Sequence, residues 1–491
     1  MGYVIGADVG SQSVKALLMN EEGATVATAT APCTMSHPSA GWAEQQPDDW
    51  KHALAAAVSD VRSQSGVARD EVSVISLACQ VDGMVALDSQ LDALRPAIIW
   101  LDRRATRQSA KFCAAAGEEE IVACTGLNPD ASHMAPKAMW LRDTEPEVYE
   151  RTRWLAPVVS YLNAWLTGEV AQDHANASST LLYDLRKRAW SSPLVAAAGL
   201  DADRLPPIGS ARDVIGLLRS DSAEALALST KCRVLVGTGD DHAAALGAGA
   251  LQPDVVVDVT GTAEPVAVPT TRIVVDEERL VETHAHAIDG LLLVENPGFV
   301  SGGSIRWLAE LLGVAQVELF SLAATAEPGS DGALFLPSLS GSTAPRWNDR
   351  MRGAFAGLAM GHGSAHLARA VLEGCAYALR DIVDRFASLG LGTDEVRVVG
   401  GGAKSNLWLQ IKADVTGRPM RALVGDFATS AGAAMLGAVS LGWFADFDEA
   451  GAHCVRLMPT SVLPRQELTG LYEESYAAYR RLFDGLEVAL T

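Results

Sequence analysis

Apolar and polar residues alternate in a clear pattern at the start of the chain. Tyr3 to Met19 form two apolar runs joined by a short turn rich in glycine and serine. This pattern predicts a β-hairpin, and Ala24 to Ala29 form a plausible third antiparallel strand. Asp8 stands where the first strand ends, so the hairpin presents a carboxylate at its turn.

Two later apolar runs predict buried strands that end in polar residues. Val72 to Leu77 leads to the polar segment 80–83, and Arg233 to Val236 leads to the segment 239–242 and a helix of small residues. In α/β proteins, ligands bind at the carboxyl ends of parallel strands. We therefore expect both polar segments to lie near one site.

The second half of the chain repeats the opening pattern. Val255 to Val268 again reads as apolar strand, polar glycine turn and apolar strand. We interpret this as an internal repeat, with one domain over residues 1–244 and a second over 245–491. Closure of the two domains about a hinge near 243–255 would then be expected.

Helical periodicity occupies most of the remaining sequence. Asp48 and Asp49 open an amphipathic helix that stops at Gly66, and a long helix is predicted over Ala365 to Leu389. Residues 104–228 have a mainly helical pattern, which indicates an insertion into the first domain. The apolar run 431–445 contains three glycines and is too short to span a bilayer, so a closely packed buried helix is expected.

Composition narrows the possible partners. The chain has 491 residues, which favours two domains, and a net charge of -21, which argues against nucleic acid or an anionic membrane as a general partner. Its 7 cysteines are scattered without a C-x-x-C pair, as expected for free thiols in the cytoplasm. No signal peptide is recognisable at the N-terminus.

The first turn carries groups suited to phosphate and metal. Gly10 allows a tight turn, Ser11 and Ser13 offer N–H and hydroxyl groups, and Lys15 adds positive charge. Asp8 could hold a metal ion beside the phosphate. The alternative is an ordinary turn, because Asp and Gly are common turn residues.

A second glycine cluster follows the strand predicted at Val396 to Val399. The segment 400–406 reads Gly-Gly-Gly-Ala-Lys-Ser-Asn before a helix, a typical cradle for a phosphate or nucleotide. A plain tight turn is the alternative. The cluster does not match G-x-x-x-x-G-K-[ST], so this is not a P-loop protein.

Several segments, in the same order along nearly the whole chain, resemble the motifs of the FGGY carbohydrate kinases. The resemblance implies an α/β fold of two ribonuclease-H-like (actin-like ATPase) domains with an interdomain cleft. It also implies a sugar kinase that uses ATP and Mg²⁺ and sometimes forms homodimers. The segments that carry it are Asp8–Ser11, Gly41–Gln45, Trp100–Arg104, Ala135–Leu141, Gly239–Asp241, Gly261–Thr262 and Gly400–Ser405.

The resemblance assigns a role to each polar segment. Asp240 matches the catalytic base, although an Asp before a helix is also a common N-cap. Asp8 would act through Mg²⁺, directly or through water. The residues implied for the γ-phosphate and the nucleotide are Gly261, Thr262, Gly401, Gly402 and Asn406.

The implied sugar-binding residues are Val81, Asp82, Asp240 and Asp241. The most similar branch is the xylulokinases, which implies a pentulose such as D-xylulose, with ribulose, xylitol or erythritol as alternatives. A non-catalytic actin-like protein that binds sugar or nucleotide is a rival from another class. Val81 and Asp82 stand where Met and His are usual, and Asp241 stands where Asn is usual, so the sugar could differ.

Other polar residues near these motifs receive weaker assignments. Because two carboxylates repel, we expect Asp82 or Asp241 to have a raised pKa or to pair with Arg103 or Arg104. Trp42 and Asp102 are possible neighbours of the sugar. The residues at 284 and 286, two alternating histidines, have no carboxylate or cysteine at metal-binding spacing, so a packing role is expected for them.

Overall fold

Two β-sheets, one in each half of the chain, organise the protein. The computed structural model describes residues 2–490. The strands of the first half are β1 Tyr3–Val9, β2 Ser13–Asn20, β3 Thr25–Pro32, β4 Glu44–Gln45, β5 Val72–Cys79, β6 Val85–Leu87, β7 Ala97–Ile98, β8 Trp154–Ala156, β9 Gln172–Asp173, β10 Tyr183–Asp184, β11 Ala189–Trp190, β12 Ile208–Gly209, β13 Val214–Leu217, β14 Arg233–Leu235 and β15 Thr238–Gly239.

The helices of the first half surround its sheet and form most of the predicted insertion. They are α1 Pro47–Ser65, α2 Thr106–Ala116, α3 Glu118–Thr125, α4 Met134–Thr144, α5 Pro146–Arg151, α6 Val158–Thr167, α7 His174–Ser178, α8 Ser192–Ala198, α9 Ser220–Ala225 and α10 Asp240–Gly247. The predicted helix at 48–66 is confirmed as α1, which ends at Gly66 with φ 68 because this residue adopts a left-handed conformation.

The second half repeats the mixture of strands and helices. Its strands are β16 Val256–Thr260, β17 Ala263–Thr270, β18 Glu282–Ala285, β19 Leu292–Val300, β20 Leu334–Leu336, β21 Ala354–Ala356, β22 Val396–Gly400 and β23 Met420–Ala422. Its helices are α11 Gly302–Leu312, α12 Gln316–Ala323, α13 Ser364–Ser388, α14 Asn406–Thr416, α15 Ala428–Ser440, α16 Phe447–Cys454 and α17 Thr469–Leu490.

The two central sheets share an order of five strands, β3-β2-β1-β5-β14 in the first and β19-β17-β16-β22-β23 in the second, and each order contains one further strand, at opposite edges. The first sheet runs β13-β14-β5-β1-β2-β3, and the second runs β18-β19-β17-β16-β22-β23. In each, the leading strand pairs antiparallel with the next strand and parallel with a later strand on its other side. The match confirms the internal repeat and the two-domain α/β class predicted from the sequence.

Helix α15, from the second half, packs on the first sheet. A Cβ atom at Gly6 of β1 would lie 2.0 Å from the carbonyl oxygen of Ser430, and the Ser430 hydroxyl donates to the carbonyl of Lys15 at 3.0 Å. Gly247 and Gly432 allow α10 and α15 to approach closely in the same way. The buried helix expected near 431–445 is therefore confirmed.

The insertion also contacts the second sheet, at its edge strand β18. The amide of Thr283 donates to the carbonyl of Gly126 at 3.0 Å, and the amide of Ala285 donates to the Ser178 hydroxyl at 3.0 Å. A side chain at Gly126, which has φ +79, would collide with the Thr283 carbonyl. Residues from both halves therefore surround the carboxyl end of the first sheet.

The transition between the sheets lies between β15 and β16. The predicted boundary at 244/245 falls within α10, the helix that connects them, and remains a prediction. Among residues 2–490, no helix combines the length and apolar character that a membrane span requires.

Candidate active site

Asp8 is the penultimate residue of strand β1 and lies between two neighbouring strands. It is opposite Lys15 of β2 and Ala78 of β5. Burial and the negative charge of Asp240 raise the pKa of Asp8 to about 7, although Lys15 opposes the shift. The hairpin register therefore brings the predicted carboxylate and lysine together, and the tertiary structure adds Asp240.

Two buried glutamines hold the first turn in place. Gln45 donates from Nε2 to the carbonyl of Ser11 at 2.9 Å, and Gln80 donates to Gln45 Oε1 at 2.8 Å. The turn itself closes when the Gly10 amide donates to the Ser13 carbonyl at 3.1 Å. The sequence analysis did not predict this support, because only the fold brings the two glutamines together.

Asp240 is the first residue of α10 and is not the helix cap. The N-cap position belongs to Gly239, and Asp240 accepts the amide of Asp241 at 3.1 Å. Burial raises the pKa of Asp240 to about 6, because it outweighs the backbone hydrogen bonds that stabilise the anion. The N-cap alternative is thus not observed, and the carboxylate lies where the positive end of the helix dipole stabilises its charged form.

The four residues predicted to bind sugar lie close together. A Cβ atom at Gly239 would be 2.5 Å from Val81, and the Val81 amide stabilises the Asp240 anion. Burial and the charges of Asp240, Asp82 and Asp8 raise the pKa of Asp241 well above its usual range. The crowding of carboxylates at this point therefore makes a negative charge on Asp241 less favourable than on a solvent-exposed Asp.

The cationic partner of Asp82 is His133 rather than Arg103 or Arg104. His133 Nδ1 lies 3.2 Å from Asp82 Oδ1. Arg103 pairs instead with Asp130 at 3.0 Å. Of the two expected alternatives, the raised pKa is found at Asp241, whereas the arginine pairing is not observed, because the insertion brings His133 against Asp82 from a distant part of the sequence.

Asp102 and Arg104 form a buried ion pair beside the site. Their side chains are 2.7 Å apart, and Asp102 also accepts the amide of Ala43 at 2.6 Å. The Arg104 guanidinium lies 3.7 Å from the centre of the Trp42 ring, a cation–π contact, and 2.7 Å from Glu44. Asp102 is buried and accepts hydrogen bonds from Ala43 and Arg104. It therefore has a structural role beside the site.

His284 has a carboxylate partner that its local sequence did not reveal. Its Nε2 lies 3.1 Å from Glu295 Oε1. Strands β18 and β19 pair antiparallel with Glu282 opposite Glu295, so His284, two residues after Glu282, is a diagonal neighbour of Glu295. Burial, together with the charges of nearby His242 and His133, holds the pKa of His284 well below its usual range. No group of three or more His, Cys, Asp or Glu within residues 2–490 is arranged to hold a metal ion.

The turn between β16 and β17, at Gly261 and Thr262, is supported by the start of α11. The amide of Gly302 donates to the Gly261 carbonyl at 3.1 Å, and the amide of Gly303 donates to the Thr262 carbonyl at 3.0 Å. A Cβ atom at Gly302 would lie 2.3 Å from the Gly261 oxygen. This pair was not predicted from the sequence, although two adjacent glycines where a helix follows a strand could have indicated it.

The glycine-rich segment after β22 divides into exposed and buried positions. Gly401 and Asn406 are exposed at the surface, whereas Gly402 is buried. A Cβ atom at Gly402 would lie 2.5 Å from the ring of Trp408. Gly402 therefore allows close packing, while Gly401 and Asn406 remain accessible to a ligand.

Known proteins resemble this chain over almost its full length. The profile for the N-terminal domain of the FGGY family of carbohydrate kinases matches residues 3–247, and the profile for the C-terminal domain matches residues 257–441. The xylulose kinase of Escherichia coli is 30% identical over 486 residues, which is 98% of this chain and 99% of the relative.

Two further comparisons give the same result. A glycerol kinase of Thermococcus kodakarensis is 28% identical and covers 91% of this chain and 90% of its own length. The crystal structure of xylulose kinase from Rhodospirillum rubrum superposes with a TM-score of 0.90, at 28% identity and 99% coverage of both chains. The chain therefore belongs to the FGGY family of carbohydrate kinases and is a sugar kinase with ATP as its co-substrate.

Proposed function

We propose that the protein transfers the γ-phosphate of ATP to a terminal hydroxyl of a pentulose, with D-xylulose as the first candidate. The observation that carries this proposal is the position of Asp240, which lies beside Asp8 and next to Val81 and Asp82. The relatives named xylulose kinase support the choice of sugar. The seven free cysteines support a cytoplasmic enzyme.

Asp240 is the proposed general base. The sugar hydroxyl oxygen forms a bond to the γ-phosphorus, the bridging P–O bond breaks, and ADP leaves while the hydroxyl proton moves to Asp240. A pKa of about 6 leaves most of this carboxylate ionised at neutral pH and still able to accept a proton. Its position at the start of α10 fixes the carboxylate relative to the sugar pocket.

Asp8 and its surroundings fit a magnesium ion. This ion is usually bound by one or two carboxylates together with phosphate oxygens and water, and Asp8 faces a second carboxylate, Asp240, whose repulsion a cation would relieve. When bound, Mg²⁺ would neutralise phosphate charge. Asp8 would hold it directly or through water, and Lys15 would add a second positive charge.

The two turns would hold the phosphates from opposite sides. In the first domain, Ser11 and Ser13 belong to the turn that begins at Gly10. In the second, Gly261 and Thr262 form the corresponding turn and accept hydrogen bonds from the glycines of α11. Gly401 and Asn406 are exposed at the start of α14 and would contact the nucleotide. Gly402 would support this contact from beneath.

A polyol kinase is the second candidate, because of Asp82. An ionised carboxylate only accepts hydrogen bonds, so it matches a hydroxyl better than a carbonyl oxygen. The chain is also similar to a relative named glycerol kinase, and glycerol is a polyol. Xylitol and erythritol are therefore included with the ketoses in the test below.

A coupled assay of ADP release tests the function. The panel contains D-xylulose, D-ribulose, xylitol, erythritol and glycerol, each with and without Mg²⁺, and the Asp240→Asn variant serves as the control. We expect sugar-dependent ADP release that the variant lacks. If no compound raises ADP release above the rate measured without a sugar, the result would contradict a kinase and favour a non-catalytic binding protein.

A further inference from the structure

His133 lies against Asp82, outside the groups proposed above for proton transfer and phosphate binding. It immediately precedes α4 in the insertion. Its Nδ1 is 3.2 Å from Asp82 Oδ1 and 2.8 Å from the carbonyl of Ser179, and its Nε2 is 3.2 Å from the carbonyl of Asn128. Both ring nitrogens therefore face oxygen acceptors.

This arrangement requires the doubly protonated ring. A neutral imidazole has one nitrogen that can only accept, and here that nitrogen would face an oxygen lone pair. Burial lowers the pKa of His133, but the charge and hydrogen bond of Asp82, with the charges of Glu282 and Asp130, raise it to about 9. The second sheet contributes to this charge balance, because Glu282 belongs to β18.

Asp82 is held in one orientation by its surroundings. Its backbone adopts φ 58, an uncommon conformation for a non-glycine residue, and its carbonyl accepts a hydrogen bond from buried Lys137 at 2.6 Å. The side chain remains 14% exposed. A carboxylate oxygen of Asp82 therefore stays available to a ligand.

We propose that His133 is a positioning residue: through its contact with Asp82 Oδ1, it orients that carboxylate as a hydrogen-bond acceptor for the sugar. This inference rests on the proposed function, since it assigns Asp82 to the sugar. With His133 in place, Asp82 accepts hydrogen bonds from hydroxyl groups of the sugar. It therefore raises the preference for an alditol relative to the ketose with the same carbon skeleton.

The chemical reason lies in the difference between a carbonyl and a hydroxyl. Xylitol carries a hydroxyl on every carbon, so it can donate to Asp82 in any orientation. D-xylulose lacks one donor at its carbonyl carbon, and a carbonyl oxygen facing a carboxylate would leave two acceptors unpaired. Discrimination by an unpaired polar group is generally larger than discrimination by shape alone.

The test compares kcat/KM for xylitol with kcat/KM for D-xylulose in wild type, Asp82→Asn, His133→Gln and the double variant. Asn can donate to a carbonyl, so Asp82→Asn should lower the xylitol-to-xylulose ratio by about 5- to 150-fold. His133→Gln should lower the ratio in the same direction. The double variant should show no further fall beyond Asp82→Asn, because His133 acts through Asp82.

His174→Gln is the matched control. His174 belongs to the same insertion, but its hydrogen bond goes to the Tyr183 hydroxyl at 2.7 Å, so the ratio should not change. If His133→Gln reduces kcat/KM equally for both compounds, or if Asp82→Asn leaves the ratio unchanged, the proposal is wrong.

A second measurement does not depend on turnover. NMR of ¹⁵N-labelled histidine rings at pH 7.5 should show His133 doubly protonated in wild type, with its signals assigned by their loss in His133→Gln. Asp82→Asn should shift the ring toward the neutral form. A neutral His133 in wild type would overturn the inference, whereas a failed sugar panel with an Asp82-dependent imidazolium would contradict only the proposed kinase function.

Discussion

The turns that follow β1 and β16 occupy equivalent places in two similar sheets, but their charges are arranged differently. In the first domain, Asp8 is the penultimate residue of β1 and lies near Asp240, another carboxylate of the site. In the second domain, the charges lie behind the turn, where Lys412 Nζ is 2.6 Å from Asp258 and 2.9 Å from Glu264. The repeat therefore conserves the backbone while the two halves use charge in different ways.

The buried cluster of the second domain balances two carboxylates with one ammonium group. Burial and the charge of Asp258 raise the pKa of Glu264 to about 8, although Lys412 opposes the shift. Glu264 is also hydrogen-bonded to Ser301, which directly precedes α11. A buried ion pair of this kind depends on both partners, because an unpaired buried charge is costly. We infer that this cluster stabilises the second turn, whereas the charges of the first turn take part in the reaction.

The strongest test of this contrast is Asp240→Asn in the first domain. Loss of a positioned base typically lowers the rate by about 10²- to 10⁴-fold, and the loss should appear in kcat more than in KM. Initial-rate kinetics at saturating D-xylulose and MgATP measure the fall in kcat. Thermal unfolding of the variant should be close to wild type, and near-normal turnover would remove Asp240 from the role of base.

The matching change in the second domain is Lys412→Met. It leaves Asp258 and Glu264 buried without a cation, so the free energy of unfolding should fall by about 3 to 5 kcal/mol. Denaturant unfolding measures this loss. The kcat of the folded fraction should remain near wild type; an intact stability with reduced kcat would reverse the assignment of the two turns.

The pH dependence of kcat/KM offers a second contrast. Asp240, with a pKa of about 6, must be deprotonated to act as base, and Asp8, with a pKa of about 7, must be deprotonated to hold a cation. The value of kcat/KM should therefore fall about tenfold per pH unit between about pH 7 and 6, where only Asp8 is protonated, and about a hundredfold per unit below about pH 6, where both carboxylates are protonated. Asp258→Asn, in the second domain, should leave this acid limb in place, and a flat profile from pH 5 to 8 would contradict both assignments.

Asp82→His tests whether Asp82 determines the sugar specificity of the first domain. The substitution restores the residue usual in xylulokinases and should move the preference toward D-xylulose by about 5- to 150-fold in relative kcat/KM. The ratio for D-xylulose against the best alternative substrate measures this change. An unchanged ratio would show that Asp82 does not contact the sugar.

The smallest expected effect concerns the approach of the two turns. Closure about the segment 243–255 would bring Thr262 toward Ser11 and exclude water from the reacting groups. Small-angle X-ray scattering should show a decrease in the radius of gyration when sugar and a non-hydrolysable ATP analogue bind together. Identical dimensions in all states would count heavily against closure.

Local patterns in the sequence were sufficient to predict much of the fold. The hairpin of β1 and β2, helix α1 and the buried helix α15 were predicted because apolar periodicity, capping residues and turn glycines act over short distances. The repeated strand-turn-strand pattern indicated two related domains. Asp8 and Asp240 stood out because each lies at the carboxyl end of an apolar run, where α/β folds place ligand groups.

Only the tertiary structure decided how these residues interact. His133 and Asp82 are far apart in sequence, as are His284 and Glu295, and no local pattern shows that an insertion or a neighbouring strand brings them into contact. The same is true of Gln45 and Gln80 beneath the first turn. The amino-acid sequence determines the helices and strands and the identity of the side chains at the site. The partners, charge states and roles of those side chains depend on long-range packing, because electrostatic interactions act between groups that are close in space.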